Sequence, residues 1–127
     1  MTKQQLRIIP LGGLGDVGKN MMVYEYGDDI LIVDTGIMFP DSDMLVIDYI
    51  IPDFHYLLDK RDKVRGIIVT HGHEDHTGAI HHVLQEINAP IYATPLTRGL
   101  LEIKLARNGA AQKADLRTVQ AGDTVQI

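Results

Sequence analysis

The chain has 127 residues, of which 45% are hydrophobic and 23% are charged, and its formal net charge is -5. This length suffices for one domain with a buried core. Because there is no cysteine, a disulfide framework and a thiolate metal site are excluded. The apolar runs are far shorter than the roughly 18 residues that span a bilayer, and the N-terminus lacks the apolar segment of a signal peptide. We therefore expect a cytoplasmic protein that does not cross a membrane.

The first half of the chain is predicted to be mainly β-structure. Short apolar stretches rich in Ile, Val and Tyr are separated by glycine- and aspartate-containing turns, which is the pattern of strands and a hairpin. In chain order we predict strands over residues 6–9, 20–26 and 30–33, a loop over 39–51, a short helix from Asp53 as its N-cap through Leu58, and a strand over 65–70.

The second half alternates helices with strands, which is typical of a layered α/β domain. We predict an amphipathic helix whose apolar residues are Ile80, Val83, Leu84 and Ile87 and which ends at Asn88 and Pro90. There follow a strand over 91–93, a helix that begins at Thr94 and Pro95 and carries Leu96, Leu100 and Ile103, a hairpin turn at Gly122 and Asp123, and the start of a strand over 125–127. Because a domain rarely ends on an unfinished strand, we expect the chain to be truncated.

The densest polar segment is Thr70-His71-Gly72-His73-Glu74-Asp75-His76, which lies between an apolar strand and an amphipathic helix. Imidazole and carboxylate groups suit zinc and related divalent ions. Side chains alternate along a strand end, so His71 and His73 would point to the same side and converge on one ion. Asp75 and His76 can face a second ion, which is the layout of a two-metal hydrolytic site.

Two simpler explanations of this segment remain open. Asp75 could be only the N-cap of the following helix, although a cap uses one side chain and does not explain the three histidines around it. The segment could also hold a single structural zinc, but such sites are closed by four ligands that usually include thiolates.

The glycine pattern Gly13-x-Gly15-x-x-Gly18 matches a dinucleotide-binding fingerprint. That motif must open a helix whose N-terminus holds the pyrophosphate. The residues that follow here are β-like in composition, so nicotinamide dinucleotide binding is not favoured. We expect the glycines to shape a tight loop near the metals instead.

The spacing His71-x-His73-x-Asp75-His76 resembles the H-x-H-x-D-H motif of the metallo-β-lactamase fold, and Asp34 resembles the first motif of that fold. Over longer stretches the chain resembles the N-terminal part of the bacterial ribonuclease J family, in the β-CASP branch of that superfamily. The matching stretches are residues 11–21, 33–40, 48–53 and 71–79. The resemblance covers the whole chain but only the first quarter or so of such an enzyme.

The resemblance implies a fold, a metal site and an activity. The fold is α/β, the N-terminal part of an αββα sandwich with a mixed sheet and flanking helices, incomplete over residues 1–127. His71 and His73 would bind one Zn²⁺ and Asp75 and His76 the other, with Mn²⁺ as an alternative, while Asp34 would brace the ligands through hydrogen bonds. Asp75 and His76 are also the expected catalytic residues.

A calcium ion held by the main-chain carbonyls of Leu45 and Ile47 is a further implication of the resemblance. Val46 stands where a glycine is frequent in the family, so a plain solvent-facing acidic loop is the favoured alternative. Thr77 and the pair His81-His82 also depart from the family pattern. We expect His55, His81 and His82 to be surface histidines rather than additional ligands.

The implied activity is endonucleolytic and 5′-to-3′ exonucleolytic cleavage of single-stranded RNA in RNA maturation and decay. The expected partners are RNA, further RNA-processing proteins and, in the full-length protein, other copies of the same chain. No His or Cys follows His82, so we expect half of a site and no activity in this chain alone. The alternatives are another metallo-hydrolase of the same fold, acting on thioesters or lactams, and a non-catalytic assembly module.

Overall fold

The computed structural model describes residues 3–127. Six strands form one mixed sheet in the order β1-β2-β3-β4-β5-β6. Strand β2 pairs antiparallel with β1 and with β3. The pairs β3–β4, β4–β5 and β5–β6 are parallel. Their bounds are Leu6–Gly12 for β1, Met21–Tyr26 for β2, Asp29–Val33 for β3, Val64–Ile68 for β4, Ile91–Ala93 for β5 and Leu116–Thr118 for β6.

In the part of the chain that the structure describes, only one helix is longer than nine residues. A 3₁₀ helix over His55–Lys63 precedes β4, and a second 3₁₀ helix over Ala111–Lys113 precedes β6. The α-helices are α1 (Glu74–Thr77), α2 (Ile80–Glu86) and α3 (Pro95–Arg107). Among residues 3–127, no helix has the length and apolar character needed to cross a membrane.

The core lies on the face of the sheet that the helices cover. On β2, Met21 and Val23 are almost fully buried, whereas the intervening Met22 is only half-buried, as expected for alternating side chains. All members of the predicted apolar stripe of α2 are buried against this face, which confirms that prediction. They are Ile80, Val83, Leu84 and Ile87.

The buried face of α3 differs from the expected one. Leu96, Leu100 and Ile103 are exposed, and the core contacts are made by Leu101 and Leu105. Both stripes have helical spacing, so periodicity alone does not separate them. The choice between them is made by tertiary packing.

Two other predictions are wrong at element ends. Residues 125–127 form no strand; instead β6 occupies the edge beside β5, and Ile127 lies over Gly66 on the sheet face. The predicted helix from Asp53 to Leu58 is a 3₁₀ helix over His55–Lys63 with Phe54 rather than Asp53 as its N-cap, and the Asp53 side chain accepts a hydrogen bond from the His55 main-chain N–H at 3.0 Å just before it.

The parallel pairing of β3 with β4 determines where the polar residues meet. Asp34 directly follows β3, and the segment Thr70–His76 follows β4. Because the carboxyl ends of parallel strands lie at the same edge of a sheet, these residues are brought together there.

Candidate metal centre

Asp34 lies at the centre of the hydrogen bonds in this region. The residue is 5% exposed, and its carboxylate accepts bonds from the Thr70 main-chain N–H (2.8 Å), the Thr70 hydroxyl (2.8 Å) and His76 Nδ1 (2.7 Å). Its backbone has a φ of 66°, a left-handed conformation that aspartate tolerates better than most residues. The buried charge is therefore compensated by three donors, and one of them is a predicted metal ligand.

These contacts determine which ring nitrogens carry protons. His76 Nδ1 faces a carboxylate, which can only accept, so in the neutral imidazole Nδ1 carries the proton and Nε2 carries the lone pair. The Thr70 hydroxyl donates its single proton to Asp34 and lies 3.0 Å from His71 Nδ1, from which it can accept a second bond. His71 is thereby held in the same tautomer as His76, with Nε2 available to a metal.

The predicted ligands lie on a bend and a short helix beyond β4. His73 is the backbone N-cap of α1, and Asp75 is the second residue of that helix. Asp75 is therefore not an N-cap, which excludes the simplest alternative for this segment. β4 ends at Ile68, so the rings of His71 and His73 approach to 4.7 Å through the bend at Gly72 rather than by alternation along a strand.

Main-chain hydrogen bonds attach α1 to the chain that follows β3. Thr35 N–H donates to the His76 carbonyl at 2.9 Å, and Ile37 N–H donates to the Glu74 carbonyl at 3.1 Å. At Gly36 a β-carbon would collide with the main-chain oxygen of Asp75. Glycine at this position therefore allows the close approach that places Asp75 and His76 beside Asp34.

Asn20 joins the site from the loop before β2. Its main-chain N–H and its Nδ2 both donate to the Asp75 carbonyl, at 3.0 and 3.1 Å. Nδ2 is also 3.4 Å from Asp75 Oδ2 and 3.4 Å from His76 Nε2. Thr70 belongs to the predicted segment but was given no role, and Asn20 was not named as a site residue, because a motif read along the sequence contains no signal for contacts made across distant elements.

The potential ligand atoms of His71, Asp75 and His76 all lie within 4.8 Å of one another. Asp75 Oδ2 and His76 Nε2 are 3.4 Å apart, the separation of two ligands that are each about 2.1 Å from a tetrahedral ion. The donor set therefore fits a divalent cation. His73 is exposed and lies outside this group, with its ring edge-on to that of His71.

Comparison with known proteins defines the family. The model of the metallo-beta-lactamase superfamily matches residues 14–124. The chain belongs to that superfamily. This confirms the expectation drawn from the motif, and it implies that the chain binds divalent metal, which the His/Asp/His group is suited to do.

Curated relatives are similar to the chain in sequence over most of its length. Ribonuclease J 1 of Streptococcus pyogenes is 47% identical over 114 residues, which are 90% of this chain and 20% of that protein. Ribonuclease J2 of Bacillus subtilis is 42% identical over 96% of this chain and 22% of the relative. The chain spans about a fifth of the length of these relatives.

Solved structures show the same fold at low sequence identity. MEM-A1, a subclass B3 metallo-beta-lactamase from a soil metagenome library, has a TM-score of 0.60 at 18% identity, covering 94% of this chain and 46% of that one. Human tRNase Z, short form, has a TM-score of 0.54 at 15% identity, covering 90% of this chain and 46% of that one. The predicted α/β, metallo-β-lactamase-like fold is confirmed.

Two departures from the family pattern, Thr77 and the pair His81-His82, make defined contacts in the structure. Thr77 is fully buried, and its hydroxyl donates to the His73 carbonyl at 3.1 Å, so a polar side chain is satisfied inside α1. His82 Nε2 lies 2.7 Å from the Tyr49 hydroxyl. His81 is half-buried, and burial is the main cause that lowers the pKa of its imidazole. His55 is exposed as expected, whereas His81 and His82 are more enclosed than surface histidines.

The remaining predicted site is the loop around Leu45 and Ile47. Both side chains are exposed, at 90% and 49%, and two turns are closed by Met44 N–H to the Asp41 carbonyl and by Ile47 N–H to the Met44 carbonyl. The calcium site at the carbonyls of Leu45 and Ile47 stays a prediction.

Proposed function

We propose that this chain is the metal-binding beginning of a ribonuclease that cleaves single-stranded RNA, both within the strand and from its 5′ end, in RNA maturation and decay. The observation that carries the proposal is the cluster of His71, Asp75 and His76 braced by Asp34, in a chain similar to proteins named ribonuclease J. The proposed native metal is zinc, with manganese as the alternative.

In this proposal each residue has a defined role. His71 and His73 hold one ion, and Asp75 and His76 hold the other. When bound, divalent ions supply a water molecule that is deprotonated near neutral pH and neutralise charge that develops on the phosphate. In the neutral imidazole, the bond to Asp34 places the proton of His76 on Nδ1, so that Nε2 is the nitrogen offered to the metal, and Thr70 does the same for His71.

The negative charge of the chain and of the site bears on whether metal or RNA binds first. The chain has a formal charge of -5, and the carboxylates of Asp34 and Asp75 lie among the ligands. Such a site repels phosphate until cations are bound. We therefore propose that metal binding precedes RNA binding.

The first experiment measures zinc binding directly. Native mass spectrometry of the chain titrated with zinc gives the number of ions per chain. We expect His76→Ala to reduce zinc retention and His55→Ala, an exposed histidine outside the site, to leave it unchanged. Equal retention by the wild-type chain and the His76→Ala variant would contradict the proposed ligand set.

The second experiment tests RNA cleavage. The chain replaces the matching stretch of Streptococcus pyogenes ribonuclease J 1, and the chimera is incubated with labelled single-stranded RNA and zinc or manganese. We expect cleavage that the double variant His73→Ala/Asp75→Ala abolishes and that His55→Ala preserves. A folded chimera that hydrolyses a thioester or a lactam but not RNA would favour the other hydrolases of the fold.

The isolated chain is expected to be inactive on RNA, because it offers no histidine or cysteine after His82 to complete two metal shells. Turnover by the isolated chain that the double variant lacks would contradict this part of the proposal. Cytoplasmic location, self-association and contacts with other RNA-processing proteins stay predictions.

A further inference from the structure

Asn20 contacts the proposed metal ligands although it is not part of the ligand motif. It lies in the loop between β1 and β2, 55 positions before Asp75. Both of its nitrogen donors reach the same carbonyl oxygen, that of Asp75. The Asn20 carbonyl in turn accepts a hydrogen bond from Gly36 N–H at 2.9 Å, so the residue is held from both sides.

The Asp75 carbonyl oxygen needs a hydrogen-bond donor from outside its own helix. In a longer helix it would accept a bond from the residue four positions on, but Ala79 N–H donates to the Thr35 carbonyl instead. Because α1 is only four residues long, the helix itself supplies no i+4 donor for the Asp75 carbonyl. Asn20 supplies the missing donors for the residue that carries the predicted carboxylate ligand.

The second proton of the Asn20 amide faces the ligand atoms. Nδ2 is 3.4 Å from Asp75 Oδ2 and 3.4 Å from His76 Nε2. An amide N–H donates and carries no charge, so it can orient a carboxylate without neutralising it. The contact therefore favours one rotamer of the Asp75 side chain, with Oδ2 near His76 Nε2.

The glycine-rich loop leaves room for this amide. A β-carbon on Gly13 would overlap Asn20 Oδ1, and Gly13 has a φ of 88°, which favours glycine. This gives a structural reason for a glycine in a loop whose dinucleotide-binding interpretation was not favoured. The loop places the Asn20 amide against Asp75.

We propose that Asn20 is a positioning residue for the metal centre, acting through Asp75. Its amide fixes both the main chain and the carboxylate of Asp75, and thereby raises metal affinity at the Asp75–His76 half of the site. This inference rests on the proposed metal-binding role of Asp75 and His76. Removing such a hydrogen-bonding partner of a ligand typically weakens metal binding about 10- to 100-fold.

The test is a double-mutant cycle on zinc affinity, measured by competition with a coloured chelator. Asn20→Ala is expected to weaken zinc binding at least about tenfold in the wild-type background. In the Asp75→Ala background it is expected to have little further effect, because the group through which it acts is absent. Equal weakening in both backgrounds would show a general effect on the loop and overturn the proposal.

Control variants separate this role from packing. Asn88→Ala removes an exposed asparagine outside the site and is expected to leave zinc affinity unchanged. Asn20→Leu keeps the number and branching of the side-chain heavy atoms but loses the amide, so it is expected to behave like Asn20→Ala. Wild-type zinc affinity in a folded Asn20→Leu variant would contradict the proposed hydrogen-bonding role.

A measurement without metal distinguishes failure of this inference from failure of the metal site. If the wild-type chain holds no zinc, the proposed function fails, but the position of Asn20 is still testable by NMR. Asp75→Ala is expected to shift the side-chain amide signals of Asn20 in the metal-free chain, and Asp123→Ala to leave them unchanged. Unshifted Asn20 signals in the Asp75→Ala variant would overturn the inference whatever the zinc result.

Discussion

Asp34 and His76 are 42 positions apart in the sequence and are joined by a hydrogen bond of 2.7 Å between a carboxylate oxygen and Nδ1. The bond connects the end of β3 to α1 and, in the neutral imidazole, places the proton on Nδ1 so that Nε2 carries the lone pair. Because a metal ligand must offer a lone pair, one buried carboxylate both joins the two elements and selects the binding tautomer.

Replacing Asp34 by asparagine tests this connection with the smallest change of shape. Asparagine also tolerates the left-handed backbone at this position, so no new strain is introduced. The amide offers one acceptor oxygen in place of two, so at least one of the three donors loses its partner. We expect zinc affinity to fall about 10- to 100-fold, measured by chelator competition.

The matched control for this prediction is Asp43→Asn, which changes an exposed aspartate in the loop over residues 39–51. It removes the same formal charge and is expected to leave zinc affinity within error of the wild-type value. A similar loss in both variants would mean that overall charge, rather than the Asp34–His76 bond, governs metal binding.

Thr70 is expected to relay the effect of Asp34 to His71. Thr70→Val keeps the shape but removes the hydroxyl that donates to Asp34 and lies 3.0 Å from His71 Nδ1. We expect about a tenfold loss of zinc affinity for Thr70→Val and a smaller loss for Thr70→Ser, which retains a hydroxyl. The same affinity in the valine and serine variants would exclude the relay.

Local patterns predicted the parts of the fold that depend on a single element. The four apolar residues of α2 repeat at helical spacing, and all are buried. The ligand motif was recognisable because residue types that bind metal are concentrated at one strand-to-helix junction. Parallel pairing of β3 and β4 then brought Asp34 to that junction, as the resemblance implied.

Features that depend on tertiary packing were not predictable in this way. Leu100 and Leu101 are adjacent on α3 and equally apolar, yet Leu100 is 45% exposed and Leu101 is fully buried. The choice depends on how the helix docks onto the sheet. Asn20 was missed for a similar reason, because its contacts with Asp75 form only after β1, β2 and α1 have come together.

Gly36 is expected to be one of the positions least tolerant of a side chain. A β-carbon there would overlap the Asp75 main-chain oxygen, and backbone cannot move aside as a flexible side chain can. Overpacking of this kind costs about 1–3 kcal/mol or more. We therefore expect Gly36→Ala to lower the urea midpoint of unfolding and to weaken zinc binding.

The same substitution, glycine to alanine, is expected to have the opposite effect on stability at Gly99. It lies inside α3, and a β-carbon there would meet no atom within 4 Å. Alanine has the higher helix propensity, so Gly99→Ala is expected to stabilise the chain by about 0.5–1 kcal/mol. Destabilisation by Gly99→Ala of the same size as that by Gly36→Ala would contradict the steric argument.

Glu25 is a buried carboxylate on β2, outside the metal centre, and it attaches the 3₁₀ helix to the sheet. Its Oε2 accepts a hydrogen bond of 2.5 Å from the Tyr56 hydroxyl, and its Oε1 lies 3.4 Å from Lys60 Nζ. Donation by Tyr56 is the main cause that lowers the pKa of Glu25 below its ordinary value of 4.5, and the charge of Lys60 acts in the same direction.

This lowered pKa determines the sign of a pH effect on stability. The folded state binds the proton less readily than the unfolded state, so the stabilisation is fully present above the ordinary pKa of 4.5. It is lost as the pH falls through the lower, folded-state value. Tyr56→Phe removes the donor and is expected to cost about 1–3 kcal/mol near neutral pH and to flatten the loss of stability in acid.

Urea unfolding of the metal-free chain at several pH values measures this effect. Tyr26→Phe is the matched control, because Tyr26 lies at the end of the same strand but is 50% exposed. We expect its unfolding free energy to follow the wild-type pH dependence. If the acid slope of Tyr56→Phe also matched the wild-type slope, the proton uptake on unfolding would have to come from other carboxylates, and the Tyr56 bond would not be what holds the Glu25 pKa down.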